Sequence, residues 1–163
     1  MHAAPAVLAR LAHKAEAVLT LNKKSYYAIE AVLYIAYNAK LEPVAGNQVA
    51  QAQNLPTRYL EPMMQKLVRA GILRGVRGPQ GGYMLGRERR QITLADICTV
   101  IGKDNNAPST STALGNKVLH TTTQQVLADF HKTLNAITLA QLCEQAEKEN
   151  IAPRLTPTNN FVI

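Results

Sequence analysis

The sequence has little or none of several residue types, and each shortage narrows the class of protein. It contains no tryptophan and only 5% aromatic residues, so its core is expected to consist mainly of aliphatic side chains and alanine. Its two cysteines, Cys98 and Cys143, are too few for a disulfide scaffold and fit buried thiols in a reducing cytoplasm. No run of 18 apolar residues is present, which argues against a membrane-spanning helix.

Acidic residues are also scarce, at 11 against 18 lysines and arginines. The resulting net charge of +7 favours an anionic partner such as a nucleic acid. The length of 163 residues and the 47% hydrophobic content suit one domain with an additional oligomerisation arm. Residues 1–20 have an amphipathic pattern that charged residues interrupt, so the pattern is not that of an export signal. We expect an N-terminal extension there, either an appended helix or a partly disordered segment.

The stretch of residues 54–90 carries most of the positive charge. It has eight basic and two acidic residues, a net charge of +6 that nearly equals that of the whole chain. Helical spacing places Leu60, Met64 and Leu67 on one face. The opposite face presents four polar side chains, namely Arg58, Glu61, Gln65 and Arg69. We therefore predict a helix with one packing face and one binding face, which ends at Gly71 in a left-handed cap.

A glycine-rich hairpin follows this helix. The pattern predicts a strand at residues 72–77, a turn at residues 78–82 and a return strand at residues 83–85. Basic residues lie in and around the hairpin, as expected of a segment that grips a polyanion.

Two further helices precede the amphipathic one. Residues 26–39 are apolar nearly all round, which is typical of a buried helix, and Pro43 follows as a break. A short helix is predicted at residues 46–53 with Val49 and Ala50 inward, before a turn in which Asn54 adopts the left-handed conformation. The predicted fold is therefore mainly α with a small β wing. It is a winged helix-turn-helix DNA-binding domain over residues 21–101.

The C-terminal part of the chain begins with a polar segment rich in serine and threonine, which predicts a flexible loop at residues 102–114. Helix-capping patterns start at Thr93, with Asp96, and again at Thr138. Between them, a long helix at residues 117–134 has one apolar stripe, formed by Leu119, Val126, Phe130 and Leu134. We predict dimerisation helices at residues 115–150, although the stripe would alternatively pack back on its own domain. Residues 151–163 are expected to form a loose tail.

Part of this sequence resembles a known protein family. The segment RYLEPMMQKLVRAGILRGVRGPQGGYML, followed by ITLADI, is similar to the recognition helix and wing of IscR/NsrR/CymR-type bacterial winged-helix transcriptional regulators. LNKKSYYAIEA and the second ITL helix add support, so that the resemblance covers residues 21–149. It implies a homodimer that binds an inverted-repeat operator in double-stranded DNA, usually as a repressor. No membrane partner is expected.

The resemblance also implies individual roles. Arg77 would enter the minor groove, and the neighbouring glycines would let the backbone approach phosphates. Glu61 would accept a hydrogen bond from cytosine or else pair with Arg58 or Gln65, while Tyr59 would either pack or contact a phosphate. Pro62 departs from the family pattern and is expected to disturb the first turn of the helix. The full set of predicted DNA-binding residues is Thr57, Arg58, Tyr59, Glu61, Gln65, Arg69, Arg77, Gly78, Gly81 and Gly82.

A second departure concerns cofactors. Members that bind an iron–sulfur cluster place three cysteines in the loop before the long helix, whereas residues 102–114 contain none. Cys98 and Cys143 fall within predicted helices, and His120 lies near a position where some members offer a non-cysteine ligand. Clusters need about four ligands, mostly thiolates. We therefore predict a member of this family with no metal site and no cofactor.

The sequence thus favours a regulator of transcription and not an enzyme. An alternative is a regulator whose loop and long helix sense a small-molecule effector or thiol oxidation. A thiol enzyme is a distant alternative, because neither cysteine has a basic or histidine neighbour in a loop. RNA is a further conceivable ligand for a basic winged helix.

Overall fold

The computed structural model describes residues 21–39, 42–102 and 111–153. Within these ranges, helices dominate and one small antiparallel sheet is present, which confirms the predicted mainly α winged-helix class. The elements in chain order are α1 (Lys23–Asn38), α2 (Gly46–Ala52), α3 (Thr57–Arg69), β1 (Leu73–Val76), β2 (Gly82–Leu85), a 3₁₀ turn (Arg89–Gln91), α4 (Leu94–Gly102), a π-helical turn (Gly115–Leu119) continuous with α5 (His120–Asn135), and α6 (Leu139–Lys148). The predicted N-terminal extension at residues 1–20 lies outside the described residues.

The first helix, α1, runs through the centre of the core. It begins at Lys23, three residues before the predicted start, because the Asn22 side chain accepts a hydrogen bond from the backbone N–H of Ser25 at 2.8 Å. Its inward face consists of small and branched residues that are fully or almost fully buried, namely Ala28, Ala31, Val32, Ile35 and Ala36. The prediction that the helix is buried all round was wrong, since the Tyr26 side chain is 60% exposed.

Helices α2 and α3 form the predicted helix-turn-helix. Val49 and Ala50 of α2 are buried, and Asn54 adopts a left-handed φ of 52° in the turn, both as predicted. The inward face of α3 buries Leu60, Met63, Met64 and Leu67 against α1 and α2. Gly71, with a φ of 69°, ends this helix as predicted.

The wing consists of β1 and β2, in a register that pairs Leu73 with Leu85 and Val76 with Gly82. The sequence did not predict a third backbone segment on this sheet. Val44 donates to the Tyr83 carbonyl at 3.0 Å and accepts from the Tyr83 N–H at 2.8 Å. The wing is therefore attached to the segment that precedes α2, and it leaves the domain as a supported hairpin.

The two capping patterns have the reciprocal hydrogen bonds that the sequence predicted. Thr93 and Asp96 exchange backbone-to-side-chain bonds at 3.0 and 3.2 Å, and Thr138 and Gln141 do so at 2.8 and 3.4 Å. The two motifs also pair with each other, which was not predicted. The N–H of Leu94 donates to the Ile137 carbonyl, and that of Leu139 donates to the Ile92 carbonyl, both at 3.0 Å.

The long helix differs from its predicted form. Its helical turns include Gly115, whose N–H donates to the Thr112 hydroxyl at 3.0 Å, and it ends at Asn135. Gly102 is the last residue of α4, and Leu139 and Cys143 of α6 lie in the same core as α1. The C-terminal helix α6 therefore packs in the same core as α1.

The C-terminal residues continue this contact, because the Tyr37 hydroxyl donates to the Ile151 carbonyl. The rest of the predicted tail, from residue 154 onward, lies outside the described residues, as do residues 103–110 of the predicted loop. Across the ranges that are described, the helices are too short or too polar to cross a bilayer.

Candidate nucleic-acid interface

The outer face of α3 presents all six of the side chains that the sequence assigned to it. Thr57, Arg58, Tyr59, Glu61, Gln65 and Arg69 are exposed, whereas the residues between them on the inner face are buried. Helical periodicity produces this division, because side chains three or four positions apart share a face. The helix therefore offers a row of hydrogen-bond donors and acceptors on a rigid support.

Tyr59 combines packing with exposure. Its ring meets the edge of the Tyr27 ring at 86°, with 6.1 Å between centroids, and 38% of the residue remains exposed. The Lys23 ammonium lies 5.8 Å from the centroid of the Tyr27 ring. Of the two roles that the sequence left open for Tyr59, the packing role is present. The contact fixes the start of α3 against the start of α1.

Glu61 is exposed on α3. Within the described ranges, neither Arg58 nor Gln65 forms a hydrogen bond or an ion pair with Glu61, so the pairing alternative is not what the structure contains. Burial raises the pKa of the Tyr83 phenol above its ordinary value, and the negative charge of Glu61 raises that pKa further. The Glu61 carboxylate is thus near enough to Tyr83 to affect its pKa, and it is exposed to a ligand.

Pro62 lies in the interior of α3, and the helix continues through it to Arg69. Because proline has no N–H, the Arg58 carbonyl loses its donor four residues on. The helix starts beyond Pro56, whose carbonyl accepts from the Tyr59 N–H at 2.9 Å. The predicted disturbance of the first turn is therefore limited to a missing backbone hydrogen bond and does not end the helix.

The tip of the wing places Arg77 in solvent beside a four-residue turn. Gly78 has a φ of 118°, which favours glycine, and its carbonyl accepts from the Gly81 N–H at 2.9 Å. A Cβ on Gly81 would lie 2.4 Å from the Val76 carbonyl oxygen, and one on Gly82 would lie 2.3 Å from that of Val44. Close packing thus requires glycine at position 81, within the hairpin, and at position 82, against the segment before α2. The sequence did not reveal this reason.

The basic side chains around the wing are not equivalent. Arg58, Arg69 and Arg77 are exposed without a described ion-pair partner, whereas Arg87 forms an ion pair with Asp96 at 3.6 Å. Arg87 also donates to the Gln91 carbonyl at 3.4 Å. The guanidinium groups of α3 and the wing tip are therefore available to an anion, while that of Arg87 is partly engaged.

The apolar stripe predicted on the long helix divides into two parts. Leu119 and Val126 are 59% and 50% exposed. Phe130 is half-buried, and Leu134 is 8% exposed because it packs with Leu94 and Ala95 of α4. Leu134 is therefore a residue of the intramolecular core, and its assignment to a dimerisation surface was wrong.

Three exposed apolar residues on or beside the same helix were missed, namely Leu114, Val118 and Leu127. Val118 and Leu127 each lie next to a predicted residue. Adjacent apolar pairs at 118–119 and 126–127 were the available signal, because such pairs widen an apolar stripe. The exposed surface thus lies on the N-terminal two-thirds of the long helix.

The two thiols are in protected positions. Burial raises the pKa of Cys98, and a hydrogen bond with the buried Ser25 lowers it in part. Burial also raises the pKa of Cys143, which is 2% exposed; Arg89 opposes this shift, while Glu147 and Glu144 add to it. A raised thiol pKa lowers the fraction of reactive thiolate.

Possible metal ligands are dispersed over the described surface. Three or more His, Cys, Asp or Glu side chains do not gather at any point of the described residues in a way that could hold a metal ion. His120 is exposed on α5, away from both thiols in sequence.

Comparisons with known proteins agree with this geometry. A family described as "Rrf2: Iron-dependent Transcriptional regulator" matches residues 21–145. The HTH-type transcriptional regulator IscR of Vibrio atlanticus (strain LGP32) is 30% identical over 141 residues, which cover 83% of this chain and 82% of that protein.

Two solved structures show similar folds. T. potens IscR superposes with a TM-score of 0.68 at 30% identity and covers 83% of this chain and 94% of its own. CymR, the global cysteine regulator of B. subtilis, superposes with a TM-score of 0.62 at 26% identity, over 78% and 98% of the two chains. The chain therefore belongs to the Rrf2 family and is a transcriptional regulator, not an enzyme.

Proposed function

We propose that this protein is a cytoplasmic, dimeric repressor that binds an inverted-repeat operator in double-stranded DNA and needs no iron–sulfur cluster. The observation that carries the proposal is the two-faced α3 helix. Its buried side fixes it to the core and its polar side is exposed, as is Arg77 at the tip of the supported wing. This is the arrangement in which a helix enters the major groove and a hairpin reaches the adjacent groove.

The polar face of α3 supplies the base contacts in this proposal. The guanidinium groups of Arg58 and Arg69 can donate to guanine, and the Gln65 amide can both donate to and accept from adenine. Glu61 accepts from the exocyclic amine of cytosine. Thr57 and Tyr59 lie at the start of the helix and contact the backbone of the same half-site.

The wing supplies the second contact. Arg77 enters the minor groove, where a narrow groove concentrates negative potential. Gly78 gives the tip its left-handed turn, and Gly81 and Gly82 keep the hairpin compact enough to follow the sugar–phosphate backbone.

A second copy of the chain covers the exposed apolar surface of the long helix. That surface is formed by Leu114, Val118, Leu119, Val126 and Leu127, with Phe130 at its edge. Contiguous exposed apolar side chains of this kind favour association, because their burial removes them from water. The symmetric dimer presents two α3 helices to half-sites one helical turn, roughly 34 Å, or a multiple of it apart.

The absence of a cluster in this family member is also part of the proposal. Cys98 and Cys143 lie in α4 and α6, half-buried and buried, and residues 102–114 contain no cysteine. Iron–sulfur clusters select soft sulfur ligands, and the hard oxygen and amide groups of that segment do not replace them.

Selection from genomic DNA tests the proposed function. Purified protein is used to enrich bound fragments, and binding of the selected sequence is then measured by fluorescence anisotropy against a scrambled duplex and an RNA duplex of equal length. We expect the selected sequence to be an inverted repeat that binds two chains. Transcription from a promoter that contains this repeat should be lower when the protein is present. Equal affinity for the operator and the scrambled duplex would contradict sequence-specific regulation. Higher affinity for the RNA duplex would indicate an RNA-binding protein instead.

A ligand-responsive form of this function is favoured by a cleft of about 360 Å³ between the DNA-binding part and the long helix. Its polar lining includes Arg87, Asp96, Thr99 and His131, and the Thr99 hydroxyl lies 3.4 Å from Nε2 of His131. A small polar molecule bound there would contact α4 and α5 together and alter their relative position. A metabolite that changes operator affinity in the wild type but not in His131→Ala supports this form. If neither amino acids nor small carboxylates changed the operator affinity, the ligand-responsive form would be refuted.

A further inference from the structure

The cleft of about 360 Å³ lies where the DNA-binding part meets the long helix. Its walls come from the link between α3 and β1, from the segment that runs from the wing into α4, and from the last turns of α5. Its volume falls in the range of small-molecule sites, about 300–1,000 Å³. The cleft therefore has room for a metabolite and contacts both parts of the regulator.

One pair of opposite charges lies in the lining of this cleft. Nη2 of Arg87 is 3.6 Å from Oδ2 of Asp96, and Nη1 donates to the Gln91 carbonyl at 3.4 Å. Oδ2 of Asp96 also accepts from the Thr93 N–H at 3.0 Å. Nε of Arg87 and Oδ1 of Asp96 have no partner among the described residues. The pair thus keeps one donor and one acceptor for a ligand.

The other polar groups of the lining both donate and accept hydrogen bonds. Thr99, His131 and Asn135 supply a hydroxyl, an imidazole and an amide. The Thr99 hydroxyl lies 3.4 Å from Nε2 of His131, and Oδ1 of Asn135 accepts from the Thr93 hydroxyl at 3.3 Å. Such groups suit a polar, uncharged side chain of a ligand.

We propose that this cleft binds a small α-amino acid with a polar, uncharged side chain, and that the bound amino acid sets operator affinity. The carboxylate of the ligand accepts from Arg87, and its ammonium group donates to Oδ1 of Asp96. Its side chain contacts Thr99, His131 and Asn135. The inference rests on the ligand-responsive form of the proposed function and names the class of ligand.

The balance of charge in the lining selects a zwitterion. A simple carboxylate could pair with Arg87, but it would then lie close to the like charge of Asp96. A simple amine would meet the guanidinium in the same way. An α-amino acid carries both charges on groups attached to one carbon, so each member of the pair gains a partner of opposite sign. The two side chains are 39% and 36% exposed, and exposed ion pairs are weak, so their contact adjusts easily around a ligand.

Ile72 connects the cleft to the DNA-binding elements. Its N–H donates to the Leu67 carbonyl of α3 at 3.0 Å, and its carbonyl accepts from the Gly86 N–H, just after β2, at 2.9 Å. Another wall of the cleft belongs to α5, which carries the exposed apolar surface. A ligand held between these walls therefore favours one position of α3 and the wing relative to the long helix.

Isothermal titration calorimetry without DNA tests the binding site. The probes are L-serine, L-threonine, L-asparagine and L-glutamine, followed by the deaminated and the decarboxylated analogue of each probe that binds. We expect at least one probe to bind, and each analogue to bind at least about tenfold more weakly, because it has lost one charged contact. If none of the four bound at millimolar concentration, or if either analogue bound as tightly as its parent, the proposal would be overturned.

Variants locate the bound amino acid. Arg87→Met and Asp96→Asn each remove one charge of the pair, and the asparagine can still accept from the Thr93 N–H. Arg90→Met is the matched control, because Arg90 is exposed in the same basic stretch and does not line the cleft. We expect the first two variants to bind the amino acid about tenfold or more weakly and the control to match the wild type. If Asp96→Asn unfolds, Thr99→Val at an exposed position takes its place and should also weaken binding.

Unchanged amino-acid binding in an Arg87→Met protein that keeps the wild-type Tm would overturn the proposed site. Anisotropy with the selected operator tests the regulatory role. The amino acid should change the Kd for the operator in the wild type and in Arg90→Met but not in Arg87→Met. By linkage, the operator should change the affinity for the amino acid by the same factor.

The failures of this inference and of the proposed function are distinguishable. An operator affinity that is equal with and without saturating amino acid would overturn the regulatory role. Because the calorimetry contains no DNA, failure of the probes to bind refutes this inference alone. A wild type without preference for any DNA refutes the proposed function, together with the regulatory role that rests on it.

Discussion

Thr93 and Thr138 face each other across an isolated antiparallel bridge, although they lie 45 positions apart in the sequence. Each residue caps the helix that follows it, so that α4 and α6 begin at the same place. Two backbone hydrogen bonds of 3.0 Å flank the bridge and join the segments before these helices. Because Leu139 and Cys143 of α6 lie in the core with α1, the bridge connects the C-terminal helix to the DNA-binding fold.

Loss of this cap is expected to weaken the whole domain. Thr138→Ala should lower the free energy of unfolding by about 1 kcal/mol, because the Gln141 N–H loses its acceptor at the first turn of α6. Urea denaturation measures the change. Thr122→Ala, at an exposed position inside the long helix, is the control and should leave stability nearly unaltered. Equal effects of the two substitutions would show that the cap does not contribute.

The two parts of the long-helix stripe should respond differently to substitution. Leu134→Ala is expected to cost about 2–4 kcal/mol of folding free energy, because the side chain is buried against α4. Val126→Glu should leave the fold intact and convert the dimer to a monomer, since Val126 is half-exposed. Light scattering and urea denaturation measured on both variants separate these effects. A Val126→Glu protein that remains dimeric at micromolar concentration would contradict the proposed surface.

Glycine is expected to be essential at one position of the wing and replaceable at another. Gly82→Ala should destabilise the domain by about 1–3 kcal/mol, because its Cβ would lie 2.3 Å from the Val44 carbonyl oxygen. Gly75→Ala in β1 is the matched control, since its Cβ would have no atom within 4 Å. Thermal unfolding of both variants measures the difference. If Gly82→Ala were as stable as Gly75→Ala, the attachment of the wing to Val44 would have no energetic importance.

Removal of metal ions should not change the operator affinity of the protein. We expect anaerobically purified protein to be colourless and its operator affinity to be unchanged by chelator or oxygen, because its two thiols lie within helices and cannot supply the thiolates that a cluster needs. Visible absorption spectra and iron and sulfide analysis, followed by anisotropy with and without chelator, check this expectation. Stoichiometric iron and sulfide, with absorption near about 400 nm that is lost together with DNA affinity, would refute it.

Local sequence signals predicted the helix-turn-helix well. Asn54 and Gly71 mark backbone conformations that few other residues adopt, and Thr93 with Asp96 marks a helix start. Each of these features depends on residues within four positions of one another. The sequence is therefore sufficient to place them.

Features that join distant segments were not predictable in the same way. Backbone contacts join Val44 to Tyr83 and Thr93 to Thr138. Any residue except proline can make such contacts, so no pattern of side chains in the sequence predicts them. Helical periodicity aligned Leu134 with Val126 but did not show that α4 covers only one end of the stripe. The reasons for glycine at positions 81 and 82 likewise depend on carbonyl groups that tertiary packing brings close.

Operator affinity of two arginine variants tests the central claim most directly, namely that α3 and the wing tip together bind specific DNA. Anisotropy with the selected operator is measured at one salt concentration for the wild type, Arg77→Ala and Arg87→Ala. Arg77 is exposed at the tip, whereas Arg87 is engaged with Asp96. We expect Arg77→Ala to lose about 1–3 kcal/mol of binding free energy and Arg87→Ala to lose much less. Equal losses from the two variants, or a wild type that does not distinguish the operator from scrambled DNA, would contradict the account.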